Sequence, residues 1–189
     1  MLQQLTDGQP KSGADLARAL GVTRAAVWKR IEALRQRGLP ITGQAGRGYA
    51  LPWSLELLDE GRIRAALGSA TCAQLGQLQL LWEPQSTSTE VRTRSLPDGS
   101  FVLAEGQRDG RGRRGRTWSS PPGLNIYLSC IKRFDASMAA LSGLSLAVGV
   151  MLMRALADVG VHEVGLKWPN DVLGGATSAA AGAKCAGVL

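Results

Sequence analysis

An arginine-rich loop in the middle of the chain has the residue types that bind anions. The stretch from Arg108 to Arg116 holds five arginines and one aspartate, interleaved with Gly110, Gly112 and Gly115. Guanidinium groups donate paired hydrogen bonds to carboxylate and phosphate oxygens, and glycines let a backbone approach a ligand closely. The composition predicts a loop that closes over an anion, with an exposed basic loop as the alternative.

The three glycines also match the G-x-G-x-x-G fingerprint of dinucleotide-binding folds. That fingerprint needs a helix to begin at its last glycine, because the helix N-terminus receives the pyrophosphate. Here Pro121 and Pro122 follow, and the next apolar segment has the pattern of a strand. A helix cannot begin directly after such a loop, so the sequence excludes a Rossmann turn.

Three further polar clusters lie beside predicted strands. Gln85–Thr89 ("QSTST") presents hydroxyls after an apolar segment, and Lys167–Asp171 ("KWPND") ends a strand with a cation, an amide and a carboxylate. Lys184–Leu189 ("KCAGVL") places a lysine at the head of an apolar strand. Ligands bind at such strand ends in α/β sheets, although a hydroxyl-rich stretch such as 85–89 is also typical of a polar turn.

The elements that must position these clusters follow from the apolar pattern. We predict strands at Leu78–Trp82, Phe101–Ala104, Leu124–Ile131 and Val164–Trp168, and a long buried helix at Ala136–Val159. Together they predict a mixed sheet with at least one covering helix. The longest apolar run, Met138–Met153, is shorter than the roughly 20 residues that a membrane span needs, so no membrane partner is expected.

The first fifty residues predict a winged helix. Two short helical patterns flank Gly21, which supplies the turn between them. Ser12 caps the first and Thr23 the second. The apolar faces are Leu16, Ala19 and Leu20 in the first helix, and Ala26, Val27, Ile31 and Leu34 in the second. Residues 41–51 then read as two strands around a glycine-rich tip, which is the wing.

The charge of this module favours a nucleic-acid partner. The whole chain carries +7, and residues 1–47 account for +5 of it, with eight Lys/Arg against three acids. The second helix is predicted to turn its basic residues outward, namely Arg24, Lys29, Arg30, Arg35 and Arg37. We expect DNA contacts from Thr23, Arg24, Lys29, Arg30 and Arg47. A solvated basic face is the alternative, and useful affinity would favour two copies on a pseudo-palindromic site, hence a homodimer.

The three cysteines, Cys72, Cys130 and Cys185, are far apart and form no C-x-x-C pair. Neither a disulfide framework nor a zinc site is indicated, and the chain does not open on a signal-peptide pattern. The sequence predicts a cytoplasmic protein.

Taken in order, these motifs resemble the bifunctional biotin protein ligases, which also repress the biotin operon. The resemblance rests on the winged helix, "STS", "GRGRRGRTW", "GLNIYLS", "GLSLAVG", "KWPND" and "KCAGVL". It implies an α+β chain, with a winged helix–turn–helix DNA-binding domain at 1–60 and the N-terminal portion of a mixed-sheet catalytic domain at 61–189. Members of this family continue with further strands and a small barrel, so we expect the catalytic domain to be incomplete here.

The resemblance also implies the reaction and its participants. Members join biotin and ATP, with Mg²⁺, into biotinoyl-5′-adenylate and pass the biotinoyl group to a lysine of a biotin carboxyl carrier protein. Those with a winged helix bind operator DNA. Two other hypotheses stay open: a biotin-responsive regulator without ligase activity, and a nucleic-acid-binding protein whose arginine-rich loop contacts phosphate.

Site residues follow from the resemblance position by position. The implied biotin-binding residues are Ser86, Thr87, Ser88, Gln107, Arg111, Gly112, Arg113 and Lys184. The implied ATP-binding residues are Arg113, Arg116, Trp118, Asn170 and Asp171, with Asp171 also the metal ligand. Arg111, Arg113 and Lys184 would be catalytic. Residues 172–183 form a longer Gly/Ala-rich link before Lys184 than a tight turn needs.

Overall fold

The computed structural model describes residues 1–44, 46–137, 139–175 and 182–188. Contacts between Cα atoms divide the chain into two units, which we describe separately. The first unit comprises Met1–Arg111 and Thr117–Arg133, and the second comprises Gly112–Arg116 and Phe134–Leu189. This division differs from the predicted boundary at residue 60, which stays a prediction.

The first unit begins with the winged helix. A 3₁₀ turn at Leu2–Gln4 precedes helices α1 (Gly13–Leu20) and α2 (Arg24–Gln36) and the antiparallel strands β1 (Thr42–Gln44) and β2 (Gly48–Ala50). The side chains of Ser12 and Thr23 accept hydrogen bonds from Asp15 N and Ala26 N, which confirms both predicted caps. Gly21 ends α1 at φ 62°, a left-handed conformation that glycine adopts without strain.

A single apolar core holds this module together. Its buried members are Leu2, Leu5, Leu16, Ala17, Val27, Ile31, Leu39, Ile41 and Leu51. The sequence pattern correctly placed Leu16, Val27 and Ile31 inside. It was wrong for Ala19, which is exposed while Ala17 is buried, because α1 is rotated so that residues 16 and 17 face α2 and the N-terminal turn.

A three-stranded mixed sheet follows in the same unit. Helix α3 (Glu60–Gln74), interrupted at Gly68, leads to β3 (Leu78–Leu81), helix α4 (Thr87–Thr93), β4 (Phe101–Ala104) and β5 (Tyr127–Cys130). β3 and β4 are parallel and β4 and β5 antiparallel, so the predicted mixed character is confirmed. Helix α4 packs on β4 and β5. β5 is shorter than the predicted Leu124–Ile131.

The second unit contains helix α5 (Leu144–Asp158) and strands β6 (Val164–Lys167), β7 (Asp171–Gly174) and β8 (Lys184–Gly187). These strands form an antiparallel sheet of their own, in the order β6-β7-β8, against which α5 packs. The predicted strand at 164–168 therefore belongs to a second sheet, because the described strands form two three-stranded sheets and the two-stranded wing. β7 was not predicted, whereas the strand headed by Lys184 is confirmed.

Helix α5 differs from the predicted buried helix in two ways. It begins at Leu144 rather than Ala136, and Leu144, Leu146, Val150 and Met151 are exposed. Within its unit, α5 packs on β6 and β7 along one side, which leaves its other apolar side chains in solvent. Met138 lies outside the described residues. Among the residues with described structure, no helix combines the length and apolar character needed to cross a membrane.

Candidate functional site

The basic surface of the winged helix carries the predicted DNA-binding residues. Arg24, Lys29 and Arg30 are exposed on α2, and Arg47 is exposed in the turn between β1 and β2. Thr23 lies at the start of α2, where its hydroxyl caps the helix. The structure therefore places these side chains on the helix surface and the wing, where a nucleic acid could reach them.

Arg35 of α2 and Arg37, directly after the helix, do not point outward as predicted. The Nε of Arg35 donates to the carbonyl of Ile41 at 2.8 Å, and its guanidinium pairs with Glu32. Arg37 donates to the carbonyls of Gln107 and Ser120, both at 3.3 Å, and forms an ion pair with Glu83. Arg37 therefore ties the end of α2 to the sheet of the first unit.

Hydroxyl side chains gather where α4 begins. Ser86 and Thr87 are 3% and 4% exposed. Ser86 Oγ accepts from Thr89 N, which caps the helix, and lies 2.9 Å from Ser88 Oγ. Thr87 Oγ1 lies 2.9 Å from Ser129 Oγ on β5. The hydroxyl of Thr87 is thereby held by a side chain of strand β5.

Gln107 joins this group to the segment that follows the arginine-rich loop. Its Oε1 accepts from Thr87 N at 2.8 Å, and its Nε2 donates to Ser120 Oγ at 3.1 Å. We call Ser86, Thr87, Ser88, Gln107, Ser120 and Ser129 the hydroxyl cluster. Its polar groups are largely satisfied by one another, as half-buried groups must be.

Gly110 shows why the chain beside this cluster needs glycine. A Cβ at Gly110 would clash with Ser120 Oγ and with the carbonyl of Trp118, and the Gly110 carbonyl accepts from Trp118 N at 2.8 Å. The two segments therefore run in direct contact, and Trp118 is held half-buried beside Gly110. This glycine serves close packing rather than a phosphate turn.

The arginine loop, residues 108–116, is held mainly by hydrogen bonds among its own residues and Thr117. Arg111 forms an isolated β-bridge with Thr117 and donates to Asp109 Oδ2 at 2.8 Å and 3.2 Å. Residues 113–115 make a 3₁₀ turn in which Arg114 has φ 60°, and Gly112 N donates to Arg116 O at 2.6 Å. The next helix or strand after Gly115 is β5, which confirms the exclusion of a Rossmann turn.

The side chains of this loop are exposed. Arg113, Arg114 and Arg116 lie in solvent, and their guanidinium groups make no hydrogen bond or ion pair with the described residues of their own unit. Like charges this close together raise the local positive potential. Such a loop is suited to bind an anion.

In the second unit, Asn170 and Asp171 lie at the turn between β6 and β7. Asn170 Nδ2 donates to Val188 O at 2.8 Å, and Asp171 Oδ1 pairs with Lys184 Nζ at 2.6 Å across β7 and β8. Any Cβ on Gly187 would approach Lys184 Nζ to 2.9 Å, so this glycine leaves room for the pair. The structure thus brings Lys184 and Asp171 together.

The predicted site residues therefore form two groups. Ser86, Thr87, Ser88 and Gln107 lie together in the first unit, with Arg111 and Trp118 nearby in sequence. Asn170, Asp171 and Lys184 lie together in the second unit, to which Gly112, Arg113 and Arg116 also belong. Most of residues 172–183, the link before Lys184, lies outside the described residues.

Sequence reasoning missed several residues of these sites. Ser129 and Ser120 belong to the hydroxyl cluster, and a serine inside an otherwise apolar strand was the only available signal for Ser129. Glu105 is buried one residue before Gly106 and accepts from Leu58 N, and burial raises the pKa of its carboxyl. Trp28 is 55% exposed on α2 although it is the largest side chain of that helix.

Comparison with known families decides the assignment. Residues 1–50 match the HTH domain family, and residues 79–189 match the family described as biotin/lipoate A/B protein ligase. The second match covers more than half of the chain and includes the hydroxyl cluster, the arginine loop and the Asp171–Lys184 pair. The chain belongs to the biotin/lipoate A/B protein ligase family.

Two relatives in the ligase family are similar over both regions. The bifunctional ligase/repressor BirA of Salmonella typhimurium is 40% identical over 174 residues, which are 91% of this chain and 52% of the relative. BirA of Bacillus subtilis is 34% identical over 163 residues, 86% of this chain and 50% of the relative. The predicted resemblance to bifunctional ligases is confirmed, and the chain spans about half the length of these relatives.

Among solved structures, a biotin protein ligase from Aquifex aeolicus in complex with biotin and ATP is 33% identical, with a TM-score of 0.46. The similarity covers 51% of this chain and 40% of that one. The ligase-family assignment rests on the sequence matches, and the predicted α+β class agrees with the helices and strands described above.

Proposed function

We propose that this protein is an ATP-dependent biotin protein ligase that also binds operator DNA and represses biotin-synthesis genes. The observation that carries the proposal is the 40% identity to a bifunctional ligase/repressor across 91% of the chain, which includes both the winged helix and the ligase segment. The arginine loop and the hydroxyl cluster support it, because together they offer the chemistry that the two ends of biotin require.

In the first step, a carboxylate oxygen of biotin attacks the α-phosphorus of ATP, and pyrophosphate leaves. The carboxylate is already ionised at pH 7, so the step needs no strong base. It must bring like charges together: two unit charges ~4 Å apart repel by about 4 kcal/mol at an effective dielectric near 20. Arg111, Gly112 and Arg113 of the loop would lower this cost by binding the carboxylate and phosphate oxygens.

The hydroxyl cluster would hold the uncharged end of biotin. Ser86, Thr87, Ser88 and Gln107 carry donors and acceptors in a buried, cross-bonded arrangement, which suits a ring system that has both N–H and C=O groups. Buried and half-buried polar side chains that are fixed by their neighbours recognise such a ring without large rearrangement.

The remaining predicted site residues would bind ATP. Trp118 offers a face for adenine, while Arg116, Asn170 and Asp171 would lie near the phosphates. Asp171 is a single carboxylate already paired with Lys184, and no cluster of three metal-ligating side chains occurs in the described part of the chain. One carboxylate fits Mg²⁺ only if substrate phosphates and water complete the coordination; when bound, the ion would offset phosphate charge.

In the second step, a lysine amine of the carrier protein attacks the acyl carbon, and AMP leaves. Lys184 would bind the carboxylate and phosphate oxygens through its ammonium group, which makes it a catalytic residue together with Arg111 and Arg113. The intermediate is a mixed anhydride that water would hydrolyse, so a loop that closes over it would protect it. The protein would act in the cytoplasm, as a homodimer when it binds operator DNA.

Incubation of the chain with α-labelled ATP, biotin and an apo carrier domain tests the proposal. We expect labelled biotinoyl-adenylate and then biotinylated carrier. Lys184→Ala should reduce adenylate formation ~100-fold or more, because it removes a charge that the transition state requires. Lys132→Ala is the matched control, since Lys132 also pairs with an aspartate, Asp98 at 2.7 Å, but lies outside the proposed site.

The controls separate the outcomes. Lys132→Ala should keep full activity, and the unfolding midpoint of each variant, measured alongside, shows that it is folded at the assay temperature. If the wild-type chain forms no adenylate, the proposed ligase activity of this chain is wrong, and the regulator hypothesis is tested by DNA binding with and without biotin. An active Lys184→Ala would show that Lys184 has no catalytic role.

A further inference from the structure

An exposed tryptophan lies on the helix that the winged-helix module would present to DNA. Trp28 is 55% exposed on α2, while Val27 and Ile31 of the same helix are fully buried. It lies one turn after Arg24 and three residues after Ala25, both of which are also exposed. The core of the module takes Val27 and Ile31 from α2, whereas more than half of the Trp28 side chain is left in solvent.

Trp28 lines a groove between α2 and the wing. The groove has a volume of about 780 Å³, and Arg24, Ala25 and Trp28 line it on the helix side. Gln44, Gly46 and Gly48 line it on the wing side. Three of these six residues are alanine or glycine, and Tyr49 of β2 also lines the groove, so the indole of Trp28 and the ring of Tyr49 are the aromatic groups that an occupant would meet.

The charge around the groove favours a polyanion as the occupant. Arg24, Lys29 and Arg30 are exposed on α2 and Arg47 on the wing, while the acidic Glu32 is paired with Arg35. A second copy of this chain would bring the same positive charges to the contact and be repelled. A duplex in this groove would place its phosphates beside the basic residues and its base edges beside Trp28.

We infer that Trp28 is a specificity-determining residue that reads thymine, through apolar contact between its indole and the thymine C5-methyl group. An indole has a single N–H donor and no acceptor, so it is poorly suited to the bidentate pairings that read guanine or adenine. The thymine methyl is the apolar group that the major groove displays. This inference rests on the proposed DNA-binding function and goes further by naming the base.

The test begins with a selection of binding sites. The wild-type chain selects duplexes from a randomised library, and the tightest duplex is resynthesised with each thymine replaced in turn by deoxyuridine, which lacks only the methyl group. We expect one such replacement per bound copy to weaken binding by about fourfold, which is the factor for one buried methyl group.

Trp28→Ala supplies the decisive comparison. The variant should bind the selected duplex at least fourfold more weakly than wild type and should bind the thymine and deoxyuridine duplexes equally. Trp53→Ala is the matched control, because Trp53 is 51% exposed but lies after the wing, outside α2. It should retain both the affinity and the discrimination of wild type. Thermal unfolding midpoints should be the same for all three proteins.

Each other outcome overturns the inference in a distinguishable way. If wild type binds a selected sequence but Trp28→Ala keeps the thymine preference, DNA binding stands and the role of Trp28 is wrong. If Trp28→Ala changes the oligomeric state in sedimentation and not the base preference, a second copy occupies the groove. If wild type selects no sequence and shows no salt-dependent binding to any duplex, the proposed DNA-binding function fails together with the inference.

Discussion

The hydroxyl cluster and the arginine loop are predicted to hold opposite ends of one ligand, yet they are built in opposite ways. The cluster is half-buried or buried, and its side chains bond to one another across α4, β5 and the segment before β5. The loop exposes its guanidinium groups, and among them Arg111 has a partner within its own unit, Asp109.

This difference follows from what each region would bind. An uncharged ring is recognised by hydrogen bonds, which need fixed geometry and a site that excludes water. A charged group is attracted over longer distances, so the cations can remain solvated until the anion arrives. We therefore expect substitutions in the cluster to change stability and binding together, and substitutions in the loop to change the chemistry alone.

Among substitutions in the hydroxyl cluster and the arginine loop, the largest effect on adenylate formation is expected at Arg113. Arg113→Ala should reduce adenylate formation ~100-fold or more, equivalent to about 3 kcal/mol, because it removes a charge at the reacting oxygens. The free energy of unfolding should change by less than about 0.5 kcal/mol, since the side chain is exposed. Labelled-adenylate assays and urea denaturation measure the two quantities.

Arg114 provides the control within the loop. Arg114→Ala removes the same charge at the neighbouring position. Because no ligand contact is assigned to Arg114, the rate of adenylate formation should fall far less than in Arg113→Ala. If the two variants lose the same activity, the loop acts through its total charge, and the specific role of Arg113 is wrong.

An intermediate effect is expected at Thr87. Thr87→Val keeps the shape of the side chain but removes the hydroxyl that lies 2.9 Å from Ser129 Oγ. Leaving Ser129 with one bond fewer should lower the free energy of unfolding by about 1–3 kcal/mol and weaken biotin binding as well. Thr93→Val in the same helix is the exposed control and should change stability by less than about 0.5 kcal/mol. A stable Thr87→Val would contradict the idea that the cluster is part of the core.

The smallest effect is expected at Glu105, the buried carboxyl next to the cluster. Burial raises its pKa in the folded chain, so the folded state keeps a proton that the unfolded state has lost. The free energy of unfolding should therefore fall as the pH rises from the ordinary carboxyl range through the raised pKa. Glu105→Gln cannot titrate, and its amide oxygen can still accept from Leu58 N, so its free energy of unfolding should lack this fall.

Asp98 is the control, because its pKa is shifted in the opposite direction from that of Glu105. Its hydrogen bond with Lys132 lowers the pKa of its carboxyl, so its contribution to stability should be lost as the pH falls through that lowered pKa. Asp98→Asn should therefore remove a fall in the free energy of unfolding at acidic pH. Glu105→Gln should remove a fall in the same quantity at higher pH. Urea denaturation across the pH range checks both, and identical profiles for the two variants would contradict the assignment.

The sequence predicted those structural elements that depend on residues close to one another along the chain. The caps Ser12 and Thr23, the glycine turn at Gly21 and the strands β3 and β4 were predicted because neighbouring residues determine them. The beginning of α5 was not, because the apolar run from Ala136 continues through Gly143 without a capping side chain to mark the first turn.

Long-range contacts explain most of what the sequence could not predict. Arg37 resembles the other basic residues of α2, and its partners Gln107 and Ser120 lie 70 and 83 residues away. Ser129 joins the hydroxyl cluster only because β5 pairs with β4 beneath α4. The residue types of the candidate site could be predicted from motifs, whereas burial and partners depend on the pairing of distant strands.

The most direct test of the central claim compares the binding of biotin with that of biotin amide, which lacks the negative charge. By calorimetry, wild type should bind biotin more tightly than the amide. Arg113→Ala should lose that preference, and Thr87→Val should weaken both ligands by the same factor. If Arg113→Ala weakens both ligands equally while Thr87→Val changes the preference between them, the two regions do not hold the two ends of biotin as proposed.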